Sequence, residues 1–162
     1  MDTREKIVSR EGLSEILSEH RRAGRKIVFA NGVFDLLHAG HVRYLQAARA
    51  EGDVLVAGVN SDASTKRLKG DGRPILTERA RASLVAALAA VNYVVIFDDP
   101  DVRSLLRELQ PHVHAKGTDY TTESVPERDV ADALGIRVAI VGDPKDHSTR
   151  DLLARLRQQN DG

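Results

Sequence analysis

The fold is decided by the stretch Asn31-Gly32-Val33-Phe34-Asp35-Leu36-Leu37-His38-Ala39-Gly40-His41. An apolar run, residues 27–30, precedes it, and an amphipathic run follows it, with Val42, Leu45 and Ala48 on one face. Apolar residues with this spacing predict a strand that passes through a glycine-bearing turn into a helix. Backbone N–H groups at a helix start point outward, and the helix dipole favours an anion there. The stretch therefore predicts a phosphate-holding turn.

Two histidines stand at the predicted helix start. His38 and His41 are three residues apart, so they share one face of the helix. Gly40, between them, has no side chain that could block a ligand. A zinc site is the weaker interpretation, because there is no cysteine, no adjacent glutamate and no evident third ligand. We therefore expect both imidazoles to face a bound anion.

Length and composition restrict the class of protein. The chain has 162 residues, which suits a single domain spanning 1–162. Its 24 basic and 24 acidic residues balance, so no general basic field for nucleic acid is predicted. The absence of cysteine excludes disulfides. The charged N-terminus lacks the apolar segment of a signal peptide, and no apolar run approaches the ~20 residues of a membrane span. We expect a cytoplasmic protein that contacts neither nucleic acid nor membrane.

Apolar strands alternate with helices along the chain. Strands are predicted at 26–30, 54–59, 93–97, 112–115 and 138–141. This alternation predicts an α/β fold, a Rossmann-like parallel sheet of five strands with helices on both faces.

Several local patterns make finer predictions about the connecting segments. The polar stretch 66–74 is rich in glycine and cations, which predicts a mobile surface loop. Thr77 is expected to cap a helix that reaches about residue 90 and turns Leu84 inward. Asp99 and Pro100 read as the N-cap and first residue of another helix, and Ser148 is expected to cap the last one.

The motif around the two histidines resembles a known family. His-Ala-Gly-His, preceded by Gly-Val-Phe-Asp, is similar to the H-x-G-H signature of the cytidylyltransferase-like nucleotidyltransferases, which join a phosphorylated small molecule to a nucleoside triphosphate and release pyrophosphate. The resemblance implies the strand order 3-2-1-4-5. In that order strands one and four are neighbours at a switch point, where ligands bind beyond the carboxyl ends of the strands.

The resemblance also assigns roles to residues. It implies catalytic roles for His38, His41 and Lys69. It also implies that Asp35 and Arg73 bind the acceptor substrate. Residues 116–120 resemble the family's K-G-x-D-Y, and 147–150 resemble its S-T-T segment, with Arg150 in place of the last hydroxyl. The implied nucleotide-binding residues are Gly32, Val33, Phe34, Gly40, Lys66, Arg79, Lys116, Gly117, Asp119, His147, Ser148 and Thr149. Mg²⁺ is implied by the nucleotide, and no metal ligand is assigned.

A narrower resemblance covers about residues 25–157 and is most specific at 59–75. This part of the chain is similar to the adenylyltransferase portion of ADP-heptose synthases. The similarity implies transfer of AMP from ATP to D-glycero-β-D-manno-heptose 1-phosphate, which yields ADP-heptose for lipopolysaccharide core assembly. It further implies a homo-oligomer whose partners are ATP and a sugar phosphate. About 25 residues precede strand one, too few for the sugar kinase that often precedes such a domain, so a stand-alone enzyme is expected.

Other functions remain open at this point. The first alternative is a cytidylyltransferase acting on glycerol 3-phosphate or another polyol or sugar phosphate. A second, of another class, is a nucleotide-binding regulatory module without turnover. A dinucleotide oxidoreductase is disfavoured because the first turn lacks G-x-G-x-x-G. A tRNA synthetase with a related histidine turn would need a much longer chain.

Overall fold

A computed structural model of the chain describes residues 2–144 and 148–160. Within these ranges one parallel sheet has the order β3-β2-β1-β4-β5, which confirms the predicted order and fold class. The strands are β1 (Ile27–Gly32), β2 (Val54–Asn60), β3 (Tyr93–Phe97), β4 (Val113–Lys116) and β5 (Arg137–Ile140). All four strand pairings are parallel, so the carboxyl ends of the strands lie along a single edge.

Helices connect these strands. A short 3₁₀ helix at Thr3–Lys6 precedes them. The α-helices are α1 (Arg10–Arg22), α2 (Ala39–Arg49), α3 (Asp62–Lys69), α4 (Glu78–Ala86), α5 (Arg103–Leu109), α6 (Arg128–Leu134) and α7 (Thr149–Asn160). Within the described ranges, no helix combines the length and the apolar composition needed to cross a bilayer.

The sheet separates two apolar cores. On one face Val28 and Ala30 pack with the buried residues of α2 and α4. On the other face Ile27 and Phe29 pack with those of α1, α5 and α6. Neighbouring residues of a strand point to opposite faces. This is why β1 is apolar throughout its first four residues, and why helices are needed on both faces.

The stretch 66–74 differs from its prediction. Lys66 and Lys69 belong to α3, and the loop begins only at Gly70. The reason is the cap at Ser61, whose hydroxyl accepts a hydrogen bond from the backbone N–H of Ser64 at 3.0 Å. This cap nucleates a helix that continues through the basic residues, so the cations are held on a regular scaffold.

Candidate active site

A cavity of about 850 Å³ opens at the carboxyl edge of the sheet. Its walls are the turn after β1, the start of α2, the end of α3, the loop after β4 and the segment around the start of α7. Strands β1 and β4 are paired neighbours there, although their partner residues, such as Val28 and Val113, are 85 positions apart in the sequence. The cavity therefore lies at the switch point where the resemblance places the ligand.

Most of the predicted site residues meet in this cavity. Its lining includes Gly32, Val33, Phe34, Asp35, His38, Gly40, His41, Lys69, Arg73, Lys116, Gly117, Asp119, Ser148 and Thr149. Arg150, which replaces the third hydroxyl of the S-T-T pattern, also lines it. The structure thus brings together three polar stretches that are distant in sequence.

Three predicted residues are not brought into this lining. Lys66 points to solvent, with its ammonium 3.7 Å from the exposed Asp71 carboxylate. Arg79 is exposed on the first turn of α4 and is not part of the cavity wall. His147 lies outside the described residues.

His38 and His41 form a stacked pair at the start of α2. Their ring centroids are 3.8 Å apart. The Nδ1 atom of His38 accepts from the Gly40 N–H at 3.1 Å, and the Nδ1 atom of His41 accepts from the His38 N–H at 3.4 Å. A ring nitrogen that accepts cannot carry the proton, so each neutral imidazole carries it on Nε2. The cap thus leaves each ring with an Nε2–H donor.

The turn before the histidines is unusually tight. Phe34 has φ of 52°, a conformation that bulky residues rarely adopt. Its buried ring lies against Gly32, where an added Cβ would come within 3.1 Å of it. The same ring meets His41 edge-on, with centroids 5.4 Å apart. The Phe34 side chain therefore supports the His41 imidazole, and Gly32 is the residue that leaves room for the Phe34 ring.

Asp35 lines the cavity and is also hydrogen-bonded within the protein. Its carboxylate is 1% exposed and accepts hydrogen bonds from the backbone N–H groups of Ile75 and Leu76 and from Nε of Arg73, at 2.8–3.0 Å. These bonds engage both carboxylate oxygens within the protein, and the role of Asp35 in binding an acceptor substrate stays a prediction. Asp35 thus fastens the segment 73–76 to the turn after β1 and directs Arg73 at the cavity wall.

We expect Asp35→Asn to lower the free energy of unfolding by about 2 kcal/mol at pH 7, because an amide cannot replace a carboxylate that accepts from three donors. Burial acts to raise the pKa of Asp35, but the bonds from Leu76, Ile75 and Arg73 outweigh it and hold this pKa below its ordinary value. The stabilisation is therefore complete above an unfolded pKa of about 3.9 and disappears as pH falls through the folded pKa.

Urea denaturation of both proteins from pH 7 to pH 3 measures this effect. The difference between wild type and variant should shrink at the acid end of the series. Asp71→Asn is the matched control, since that carboxylate on the same loop is almost fully exposed, and its effect should stay within about 0.5 kcal/mol. A deficit of Asp35→Asn that does not change with pH would contradict the ionic role.

Arg81, which the sequence analysis did not single out, connects the elements around the cavity. Its guanidinium is fully buried and donates to the carbonyl oxygens of Val33, Asn60 and Leu76 at 2.7–3.0 Å. It also pairs with Asp62 at 2.9 Å. One side chain thus holds the turn after β1, the end of β2, the start of α3 and the loop before α4.

Lys116 ends β4 in a nearly buried position. Its ammonium is 4.0 Å from the Glu127 carboxylate and 4.5 Å from the centre of the Tyr120 ring. Burial lowers the pKa of Lys116, and the charge of Glu127 opposes that shift. Glu127 is a further residue that the sequence analysis missed. Its charge partly compensates the burial of the Lys116 ammonium.

Asn31 and Tyr44 also line the cavity without having been predicted. The Tyr44 hydroxyl donates to the carbonyl oxygen of Ala115 at 2.7 Å, which ties α2 to β4. The signal for Asn31 was available in the sequence, because it is the polar residue that ends an apolar strand directly before Gly32. A tyrosine on an amphipathic helix gives no comparable signal.

Comparison with known proteins is consistent with this geometry. The model of the cytidylyltransferase-like family matches residues 29–153, which contain both histidines, most of β1 and the whole of β2, β3, β4 and β5. The chain therefore belongs to the cytidylyltransferase-like family, whose members are nucleotidyltransferases.

Among individual relatives, the bifunctional protein HldE of Pelobacter propionicus is 46% identical over 155 residues, which cover 96% of this chain and 32% of that protein. The bifunctional protein HldE of Geobacter metallireducens is 47% identical, with the same coverage. The chain thus spans about a third of the length of these curated relatives. A lipopolysaccharide core biosynthesis protein from Thermoplasma volcanium has a similar solved structure, with a TM-score of 0.64 and 28% identity, covering 75% of this chain and all of that one.

Proposed function

We propose that this protein transfers AMP from ATP to D-glycero-β-D-manno-heptose 1-phosphate and releases ADP-heptose and pyrophosphate for lipopolysaccharide core assembly. The observation that carries the proposal is the stacked His38–His41 pair, with its two Nε2 donors, at the wall of a cavity that Lys69 and Arg73 also line. The choice of substrates is supported by the sequence resemblance at 59–75. It is also supported by the similarity to a solved protein named for lipopolysaccharide core biosynthesis.

The reaction needs little covalent help from the protein. A phosphate oxygen of the heptose 1-phosphate forms a bond to the α-phosphorus of ATP. The bond from that phosphorus to the oxygen bridging to the β-phosphate breaks, and pyrophosphate leaves with the electron pair. The Nε2–H groups of His38 and His41 donate to the oxygens on which negative charge grows. Catalysis of this kind rests on positioning and on electrostatic stabilisation.

The cations around the cavity hold the two anionic substrates together. In our proposal Lys69 binds the β- and γ-phosphates and assists departure of pyrophosphate, while Arg73, aimed by Asp35, binds the acceptor phosphate. Ser148 and Thr149 lie where α7 begins, and the N–H groups of a helix start favour phosphate. Asp119, beyond the end of β4, accepts from the ribose hydroxyls. The remaining predicted contacts, Lys66 and Arg79, would need the substrate to extend past the cavity wall.

We propose that Mg²⁺ enters with the triphosphate. Among the described residues no group of three His, Cys, Asp or Glu side chains is arranged to hold a metal ion. Mg²⁺ usually binds phosphate oxygens and water and needs only one or two carboxylates. When bound, the ion would neutralise charge on the β- and γ-phosphates.

A pyrophosphate-release assay tests the function. ATP and CTP are each combined with heptose 1-phosphate, glycerol 3-phosphate and a panel of other sugar and polyol phosphates. We expect turnover with ATP and heptose 1-phosphate. Turnover with CTP and glycerol 3-phosphate alone would replace the proposal by the cytidylyltransferase alternative. Nucleotide binding without pyrophosphate release from any pair would favour the regulatory module.

We further propose that the protein acts in the cytoplasm as a homo-oligomer. The support lies on α7, where Leu152 and Leu153 are only partly buried and Leu156 is 54% exposed. An apolar helix face of this kind is stabilised when another surface covers it. Light scattering at working concentration should give a mass above that of one chain, and a monomer would refute the oligomer.

A further inference from the structure

A buried histidine on β4 has no place in the chemistry above. His114 is fully buried, and its ring packs against Phe29 with centroids 5.6 Å apart. Burial, together with the neighbouring charge of Lys116, lowers the pKa of His114 to about 3. The imidazole is therefore neutral at physiological pH and has one N–H donor and one acceptor nitrogen.

The surroundings of the ring decide which nitrogen carries the proton. Nε2 lies 3.0 Å from Oδ1 of Asn31. Nδ1 is buried and has no hydrogen-bond partner among the described residues. A buried N–H without an acceptor is rarer and more costly than a buried lone pair without a donor. The proton is therefore on Nε2, which donates to the Asn31 side-chain oxygen.

This bond fixes the orientation of the Asn31 amide. With Oδ1 held by His114, the NH₂ group lies in the same amide plane, on the other side of Cγ. In the part of the chain that the structure describes, this nitrogen has no hydrogen bond within the protein and is not among the buried polar atoms that lack a partner. Asn31 itself lines the cavity. The NH₂ group is thus an oriented donor at the cavity wall.

This donor lies near the loop after β4, which the proposed function assigns to the nucleoside. Asn31 follows Ala30, whose partner on β4 is Ala115, so Asn31 lies beside Lys116 at the ends of the two strands. The loop that follows Lys116 contains Gly117 and Asp119, which also line the cavity. The acceptor-side residue Arg73 is instead held by Asp35, in the turn that leads toward α2.

We propose that Asn31 binds the nucleotide by donating a hydrogen bond from its NH₂ group to a ribose or phosphate oxygen, and that His114 is the positioning residue that fixes this amide. The proposal rests on the nucleotidyl-transfer function given above, but not on the identity of the acceptor. Neither residue takes part in bond making. Their effect is on nucleotide affinity, because a donor that is already oriented loses little conformational freedom when the ligand binds.

The first test is spectroscopic. In ¹⁵N-labelled protein the imidazole shifts of His114 should report a neutral ring protonated at Nε2, both with and without bound nucleotide. The assignment comes from the signals that His114→Phe removes. A ring protonated at Nδ1 would overturn the proposal, since Asn31 would then have to turn its NH₂ group toward the histidine.

The second test is calorimetric, with Mg²⁺ and the α,β-methylene analogues of ATP and CTP. We expect Asn31→Ala to weaken binding of the preferred analogue about tenfold, the loss of one hydrogen bond to a polar or charged oxygen. His114→Phe should cause a similar loss, and the double variant should lose no more than either single one, because both changes remove one contact. His114→Gln, whose amide N–H can reach the position of Nε2, should restore part of the affinity.

A matched control is available on α1. His20 also bonds a side chain through Nε2, to the Tyr93 hydroxyl at 2.9 Å, but it does not line the cavity. His20→Phe should leave analogue affinity unchanged, and melting curves verify that each variant folds. Unchanged affinity in Asn31→Ala, or additive losses in the double variant, would overturn the proposal. A wild type that binds ATP but does not use heptose 1-phosphate would refute only the proposed acceptor.

Discussion

His41→Ala is expected to lower kcat roughly 10²–10³-fold, the usual effect of deleting one donor that stabilises charge in a transition state. The geometry gives the reason. The Nδ1 atom of His41 is held by the His38 backbone N–H, so the ring presents its only proton at Nε2. Nucleotide affinity should fall less, because Lys69, the second imidazole and backbone donors remain.

The same ring also contributes to the cap of α2, so the two roles have to be separated. Removal of a cap costs about 1 kcal/mol, which corresponds to a melting-temperature shift of roughly 2–4 °C in a domain of this size. His41→Asn can keep an acceptor for the His38 N–H but has no donor at the position of Nε2. It should therefore melt close to wild type and remain as slow as His41→Ala.

His41→Gln completes the series, since its amide N–H can reach the position of Nε2. It should recover part of the lost kcat. The measurement is kcat and nucleotide affinity by pyrophosphate release and calorimetry, with thermal melting as the fold control. If His41→Asn turned over at nearly the wild-type rate, His41 would be only a helix cap. The proposed donation from its Nε2–H to the reacting phosphate would then be refuted.

The strands could be read from the sequence because they are buried on both faces. Their apolar runs were located to within one or two residues, and the motif after β1 predicted where the cavity opens. The site residues that the sequence supplied belong to local patterns: two histidines three apart, a glycine-bearing turn and a cationic segment. Such patterns depend on near neighbours in the chain, which is why they are visible without a structure.

The start of α5 shows where local patterns fail. Asp99 and Pro100 have the form of an N-cap and first turn, yet the helix begins at Arg103, whose backbone N–H donates to the Asp101 carboxylate at 2.9 Å. The Asp99 carboxylate is instead paired with Arg10 of α1 at 2.8 Å. The Asp99 side chain therefore forms a tertiary ion pair and does not form the cap that the local pattern predicts.

Helix α4 shows the same limit. Leu84 was expected to face inward, but it is 43% exposed, and the inward positions belong to Arg81, Ala82, Val85 and Ala86. Apolar periodicity predicts that a charged residue faces solvent. On α4 this prediction is wrong, because Arg81 faces inward and Leu84 faces solvent. The partners that make a buried arginine stable come from β1, β2 and the loop before α4, so they are found only in the folded chain.

Arg81→Met is the second substitution from which we expect a large effect, in this case a loss of folding stability. The substitution keeps most of the side-chain volume but removes the donors to three carbonyl oxygens and the partner of Asp62. Breaking a buried ionic network by removing one member costs about 3–5 kcal/mol. For a domain of this length the melting temperature should fall by roughly 6–20 °C.

Arg79→Met provides the matched control for this measurement. Arg79 lies two residues away on the same helix and is exposed, so its replacement should change the free energy of unfolding by less than about 0.5 kcal/mol. Arg81→Lys tests geometry against charge, because an ammonium cannot reproduce the planar fork that reaches four oxygens at once. It should recover only a minor part of the loss. Thermal and urea unfolding measure all three variants, and an Arg81→Met protein that melted within about 2 °C of wild type would show that the carbonyls find other donors.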